Sequence, residues 1–348
     1  MAAQASFRAP SPLRLRLQRW FETTGWYVLL VLFALITALP FFWTGLMSVR
    51  QNSSNIFSAR KPPELLPYPG MIGWGEGYRV ALQQGSYDVP KEEATREQPA
   101  GSWHDYAPTW QARLKGTGLE PYTFPATTQN YYKVWRDIPV PRYFANSLLV
   151  SICTVALNLI TCSLAAYPLA KIRFRGRSVV FSIILSTLVF PPQLLFIPLY
   201  VMAIKVFHFD DTFYGLILPF ATSAFGIFLL RQIYQGIPDE LLEAARLDGA
   251  SEFGIWWRVL LPLIKPGLAT LAIITFVNSW NDFLWPMLML SDRDKFTLPL
   301  GLSYLRGFFS GDLQSVAAGI VIATVPMIIF FLVFQKQFVR GLSGAVKG

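Results

Sequence analysis

Six long apolar blocks, separated by short charged interruptions, organise this chain. They fall at about residues 26–47, 143–170, 179–204, 212–234, 267–290 and 314–334. Each is close to the length of about 20 residues that a helix needs to cross a bilayer. The pattern predicts six transmembrane helices. The first block follows a segment with Arg8, Arg14, Arg16 and Arg19 against one acid, Glu22. A secretory signal peptide has a shorter apolar region and a small-x-small cleavage site, so this block reads as an uncleaved first span entering from the cytoplasm. The second block is followed at once by Lys171, Arg173, Arg175 and Arg177. Such a cluster marks a cytoplasmic helix end. The third contains Pro191, Pro192 and Pro198, and is expected to kink or unwind locally.

The interruptions differ in kind. Residues 49–142 are too polar to span, hold four tryptophans and many prolines, and read as an extracytoplasmic insert. Its positive charges do not oppose that side, because long loops translocate largely regardless of charge. A small, irregular, partly extended domain is expected, with Trp74, Trp103 and Trp110 at its core and an amphipathic helix over 127–135. The loops after the third and fifth blocks mix acids with cations. Residues 237–266, between the fourth and fifth blocks, read as helix, turn, helix. Pro238, Asp239 and Glu240 suit a helix start, and Gly249 suits a helix end. Such a segment can dock into a groove on a soluble partner or lie on the lipid surface. Six spans give one topology that satisfies every loop, with both termini cytoplasmic. The regions are then 1–25 (basic N-terminus), 26–48 (first helix), 49–142 (insert), 143–340 (five-helix core with the loop 237–266) and 341–348 (cytoplasmic tail).

Composition agrees. Of 348 residues, 53% are hydrophobic and 15% charged, against about 25% charged in soluble proteins. Mean hydropathy is +0.39. The net charge of +9 belongs to cytoplasmic loop ends rather than to nucleic-acid binding, since no basic run is interleaved with aromatics. Cys153 and Cys162 are nine residues apart on one predicted helix, about 13.5 Å, too far for a bridge. His104 and His208 show no metal-ligand spacing.

Two stretches carry candidate chemistry. The loop contains Glu243-Ala244-Ala245, then Asp248-Gly249-Ala250, then Leu261-Pro262. The fifth block contains Asn278, Ser279, Trp280, Asn281 and Asp282. A polar cluster there needs a protein neighbour, an interfacial position or a water-filled path.

The loop resembles that of the permease subunits of bacterial ABC importers, whose pattern is EAA, three residues, glycine, nine residues, I-x-L-P. Here valine, Val259, replaces the isoleucine. The stretches 278–286, 296–301 and 336–342 resemble maltose-type carbohydrate permeases, the MalG-like subunit most, over the first span and residues 128–348. The insert is longer than the resemblance leads one to expect. The resemblance implies an all-α polytopic membrane protein with a cytoplasmic coupling helix between helices 4 and 5. Glu243, Ala244, Ala245, Asp248, Gly249, Ala250, Leu261 and Pro262 would meet an ATPase subunit. Residues 278–282 would line the translocation path. Its partners would be a second permease subunit in a heterodimer, two ATP-binding subunits, an extracytoplasmic solute-binding protein and membrane lipid. No G-x-x-x-x-G-K-[ST] loop occurs in the chain, so ATP and Mg would sit on the partner ATPase and no cofactor on this chain. The place implied is the bacterial inner membrane.

Two other classes compete. A secondary transporter usually shows internal repeats and mid-membrane charges, and neither is evident. A membrane-anchored enzyme with its site in residues 49–142 would draw on Glu92, Glu93, His104 and Asp105, although adjacent His and Asp more often form a solvated surface pair.

Overall fold

A computed structural model describes residues 12–50, 64–73, 103–304 and 313–346. Contacts divide it into two compact units, Met1–Asn130 and Tyr131–Gly348.

In the first unit, α1 (Pro12–Ser48) runs unbroken through the first apolar block. Four short strands follow: β1 (Leu66–Pro69), β2 (Met71–Gly73), β3 (Trp103–Asp105) and, after α2 (Ala107–Leu114), β4 (Thr123–Ala126). β1 pairs in parallel with β4, and β2 pairs antiparallel with β3. Of the three tryptophans expected at the core, Trp110 alone has its side chain among the described residues, and it is not buried. Trp110 is only half-buried because it rides on α2, which buries no residue. Its ring is covered by the Arg113 guanidinium, 5.3 Å away. Trp74 and the Trp103 side chain lie outside the described residues. Tyr68, Met71 and Phe124 are buried instead. Beside them Arg50 stacks on Phe124 at 4.1 Å and pairs with Glu64 at 3.2 Å. Asn130 donates to the carbonyls of Ser48 (2.8 Å) and Arg50 (2.7 Å). The His104-Asp105 pair has local tasks. The Asp105 carboxylate accepts from the Ala107 N–H at 2.9 Å, and the His104 ring meets Tyr106 edge-on. Glu92 and Glu93 lie outside the described residues. A helix, α3 (Gln129–Asp137), forms close to where the pattern predicts one.

The second unit is built around α4 (Val140–Lys171). Its buried face repeats every three or four residues as Ser147, Ser151, Thr154, Asn158, Cys162 and Ala166. Small and hydroxyl side chains let neighbouring helices approach closely. α5 (Arg177–Ser186) and α6 (Pro192–Lys205) follow, then α7 (Phe213–Ile217) and α8 (Ala224–Gln235), which packs along α4. α9 (Asp239–Leu247) and α10 (Glu252–Leu263) make the charged island. α11 (Lys265–Asn281) packs on α4, and then come α12 (Leu284–Met289), α13 (Leu298–Ser303) and α14 (Leu313–Val346). A Cβ on Gly226 of α8 would lie 2.8 Å from the Cys162 sulfur and 3.1 Å from Leu271, so α4, α8 and α11 meet here only because this residue is glycine.

Among the described residues three helices are long and apolar enough to cross a membrane, and up to six if each bent pair counts as one span; one such pair is α10 with α11, bent by 81°. The third block bends by 106° between Arg177–Val189 and Pro192–Lys205, far beyond a kink. Pro191 offers no N–H and forces Phe190 into an extended conformation (φ −78°, ψ 129°). The fourth block bends by 42°. In the fifth, the helix stops at Asn281 and restarts at Leu284.

Candidate functional site

The charged island is held to the end of α4 by two side chains of that helix, Lys171 and Tyr167. Lys171 donates to the Asp239 carboxylate at 2.5 Å and to the Ile237 carbonyl. Arg246, on the last turn of α9, pairs with Glu252 at the start of α10, 2.8 Å away. The Tyr167 hydroxyl donates to the same Glu252 carboxylate. Arg246 and Glu252 therefore close a bracket over the turn between the two helices, and Tyr167 anchors it to α4. The Lys171 hydrogen bond, aided by its charge, holds the Asp239 carboxyl below the usual range. Hydrogen bonds from Arg246, then Tyr167, do the same for Glu252.

The turn inside that bracket is set by Gly249, at φ +80°. Its N–H bonds the Arg246 carbonyl, and the Ala250 N–H bonds the Ala245 carbonyl, both at 3.0 Å. This is the Schellman arrangement, which needs a left-handed residue and therefore favours glycine. Nothing lies within 4 Å of a Cβ built there, so conformation rather than crowding selects the residue. Leu242 and Ile255 are buried under the island. Glu243, Ala244, Asp248, Gly249, Ala250 and Pro262 are exposed, and Ala245 and Leu261 half-buried. Three apolar side chains accompany them: Leu247 at 89% exposure, Phe253 and Trp257. Residues Ile255–Leu260 adopt a π-helix just before Pro262, whose missing N–H breaks the regular ladder.

The polar cluster lies at the other end of α11, which runs unbroken from Lys265 to Asn281. Asn278, Ser279, Asn281 and Asp282 line a cavity of about 720 Å³. Trp280 does not. It is buried between Phe144 and Phe276, because it points to the opposite side of α11. The cavity recruits further polar groups from α4, α6 and the α7–α8 bend, among them Thr154, Asn158, Gln193 and Thr222. Asn158 bridges elements there, donating to the Phe220 carbonyl at 3.2 Å. None of these residues, nor the Tyr167–Glu252–Arg246 bracket, follows from the loop motif or the 278–282 cluster. The polar repeat along α4 is the signal that points to the α4 members.

A mostly helical chain with several apolar helices, a solvent-facing charged loop and a polar cavity among those helices is a multi-pass membrane transport component. The particular family follows from comparison. Residues 148–344 match the family "Binding-protein-dependent transport system inner membrane component", and the chain belongs to that family. The arabinooligosaccharides transport system permease protein AraQ of Bacillus subtilis strain 168 is 40% identical over 208 residues, 60% of this chain and 74% of AraQ. The probable ABC transporter permease protein YurM of the same organism is 30% identical over 336 residues, 95% of this chain and 91% of YurM. A bacterial ABC transporter involved in the import of the acidic polysaccharide alginate has a chain 26% identical in sequence, with a TM-score of 0.63 over 95% of this chain and 99% of that one. The chain is thus an ABC transporter permease of the inner membrane, and its relatives are named as transport proteins rather than enzymes. The likeness is wider than the sequence motifs imply: YurM and the alginate transporter chain both match across 95% of the length, where the motifs reach only the first span and residues 128–348.

Proposed function

We propose that this chain forms half of the translocation path of an ATP-driven carbohydrate importer and couples to a separate ATPase through residues 237–266. The observation that carries the reading is α11. It begins in the island, one turn beyond the motif residues Leu261 and Pro262, and ends in the cavity-lining residues Asn278, Ser279 and Asn281. Seventeen residues at 1.5 Å each make a rod of about 25 Å. A push on the island is thereby delivered to the cavity.

In this reading the chain crosses the membrane six times, through α1, α4, the bent pairs α5–α6 and α7–α8, α11 and α14, and α10 stays in the island. Both termini and the island are cytoplasmic, and residues 49–142 are extracytoplasmic, facing a solute-binding protein. The basic residues after α4 support the orientation, and the Lys171–Asp239 ion pair keeps the island on the same side as those residues. A second permease subunit completes the path, and two ATP-binding subunits carry ATP and Mg. Exposed Leu247 and Phe253 fill an apolar cleft on the ATPase, with Glu243 and Asp248 at its polar edge. Sugar transport is the stated role of AraQ and of the lactose and melibiose/raffinose/stachyose permeases similar to this chain. Docking alone shifts no equilibrium, so the ATPase must contact the island differently in its open and closed states.

The test is Gly249→Asp in the complete transporter. The variant is expected to insert at normal levels while solute uptake and solute-stimulated ATP hydrolysis are lost. Normal uptake with its native ATPase would overturn the coupling role.

A further inference from the structure

The cavity is polar but nearly free of charged side chains. Its polar lining includes Gln193, Asn278, Ser279, Thr154 and Thr297, all neutral, and one carboxylate, Asp282. Among the described lining residues there is no lysine, arginine or histidine. Asp282 accepts from the backbone N–H groups of Trp285, at 3.3 Å, and Leu284. It has no ion pair among the described residues.

We propose that this half of the path admits neutral polyhydroxyl solutes and repels acidic ones, with Asp282 as the filter. The inference rests on the translocation-path reading above. Amides and hydroxyls match sugar hydroxyls, and the half-buried rings of Phe196 and Phe220 in the same lining suit the C–H faces of a pyranose. A carboxylated or phosphorylated sugar is normally held by arginine or lysine. Here it would meet a half-buried carboxylate with no cation beside it among the described lining residues, and like charges oppose one another. The volume is within the range of small-molecule sites, about 300–1,000 Å³, and suits a short oligosaccharide.

The test reads the charge of the cavity directly. In the complete transporter in membrane vesicles, with Cys153→Ser and Cys162→Ala, a single thiol is introduced as Ser279→Cys and, separately, as Asn278→Cys. Each is treated with a cationic trimethylammonium methanethiosulfonate and an anionic sulfonate methanethiosulfonate, and rates are normalised to those with a free thiol in solution. The cationic reagent is expected to react about tenfold faster, as a cleft lined by one sign of charge concentrates its counter-ion. Adding Asp282→Asn is expected to bring the ratio close to one. Equal normalised rates with Asp282 in place, or a preference that survives Asp282→Asn, would overturn the filter while leaving the path intact. Failure of both reagents to reach either cysteine would overturn the path reading itself.

Discussion

Two polar interruptions flank one helix, and they are built in opposite ways. The island at the start of α11 is wet. Its charges are exposed, its turn is fixed by a left-handed glycine, and its shape is maintained by ion pairs with the end of α4. The cluster at the other end lines a cavity among the helices. Its polar groups face a cavity, and Asp282 is held by backbone N–H groups at a helix break rather than by a cation. A surface for a soluble partner must keep its polar groups in water until the partner arrives. A solute path needs polar groups that stay unmatched until a guest passes, and only the surrounding helices make that tolerable. The two designs separate coupling from selection, and variants should divide accordingly.

The strongest way to break the pairing is to cut the rod between them. Ala272 lies mid-way along α11 and is half-buried. Proline there removes a ladder hydrogen bond at a cost of about 3 kcal/mol and bends the helix. In Ala272→Pro the ATPase is expected to co-purify normally while ATP hydrolysis loses its dependence on solute and uptake disappears. Next in size is a plug. Ser279→Trp puts an indole into the cavity, and nearly all uptake should vanish while association with the ATPase is unchanged. If Ser279→Trp instead weakened ATPase association, the division of labour would be wrong.

These expectations depend on features that are unequally legible in the sequence. The island is readable because its pattern is local: glycine after a nine-residue helix, acids at the start and proline beyond. The bracket is not, because Tyr167 and Glu252 are 85 positions apart and neither residue type announces the pairing. The cavity is half-readable. Residues 278–282 stand out in an apolar block, but a helix presents consecutive residues to different sides, so Trp280 belongs to the packing and its neighbours to the cavity. Hydropathy finds helices without saying what they touch. Thr24–Ser48 and Val140–Lys171 are about equally apolar, and the second carries in addition the buried polar repeat from Ser147 to Asn158. The prolines at 191 and 192 announce a break, but the 106° angle depends on how both arms pack.

A smaller effect sharpens the island alone. Tyr167→Phe deletes the hydroxyl that ties the bracket to α4 and leaves Arg246–Glu252 in place. Hydrogen bonds to charged groups contribute about 1.5–3 kcal/mol. Glu252 is about half exposed, with 48% of its side chain accessible, so the lower end or less applies. Transport per ATP hydrolysed should fall several-fold, while thiol labelling in the cavity stays unchanged. Loss of cavity labelling in Tyr167→Phe would mean that the bracket shapes the whole bundle rather than the transmission of force.

The smallest effect is one of acidity. The folded protein holds the Glu252 carboxyl below its ordinary range, first through Arg246 and then through Tyr167. A carboxylate lowered on folding contributes stability that is complete above its unfolded pKa, about 4.3, and is lost as pH falls through its folded value. The bracket is therefore closed throughout the neutral range, and any change of transport between about pH 6 and 7.5 has another origin. Arg246→Gln removes the larger cause. The difference in Tm between the parent and Arg246→Gln should be constant from about pH 6 upward and close below about pH 4. It should be small, because both side chains are about half exposed, at 41% and 48%, and such pairs contribute about 0–1 kcal/mol. It should also shrink at high salt, where exposed charges are screened. A difference that ignored salt would show that Arg246 acts through the packing of its aliphatic stem over the Gly249 turn, and the island would then be held by shape rather than by charge.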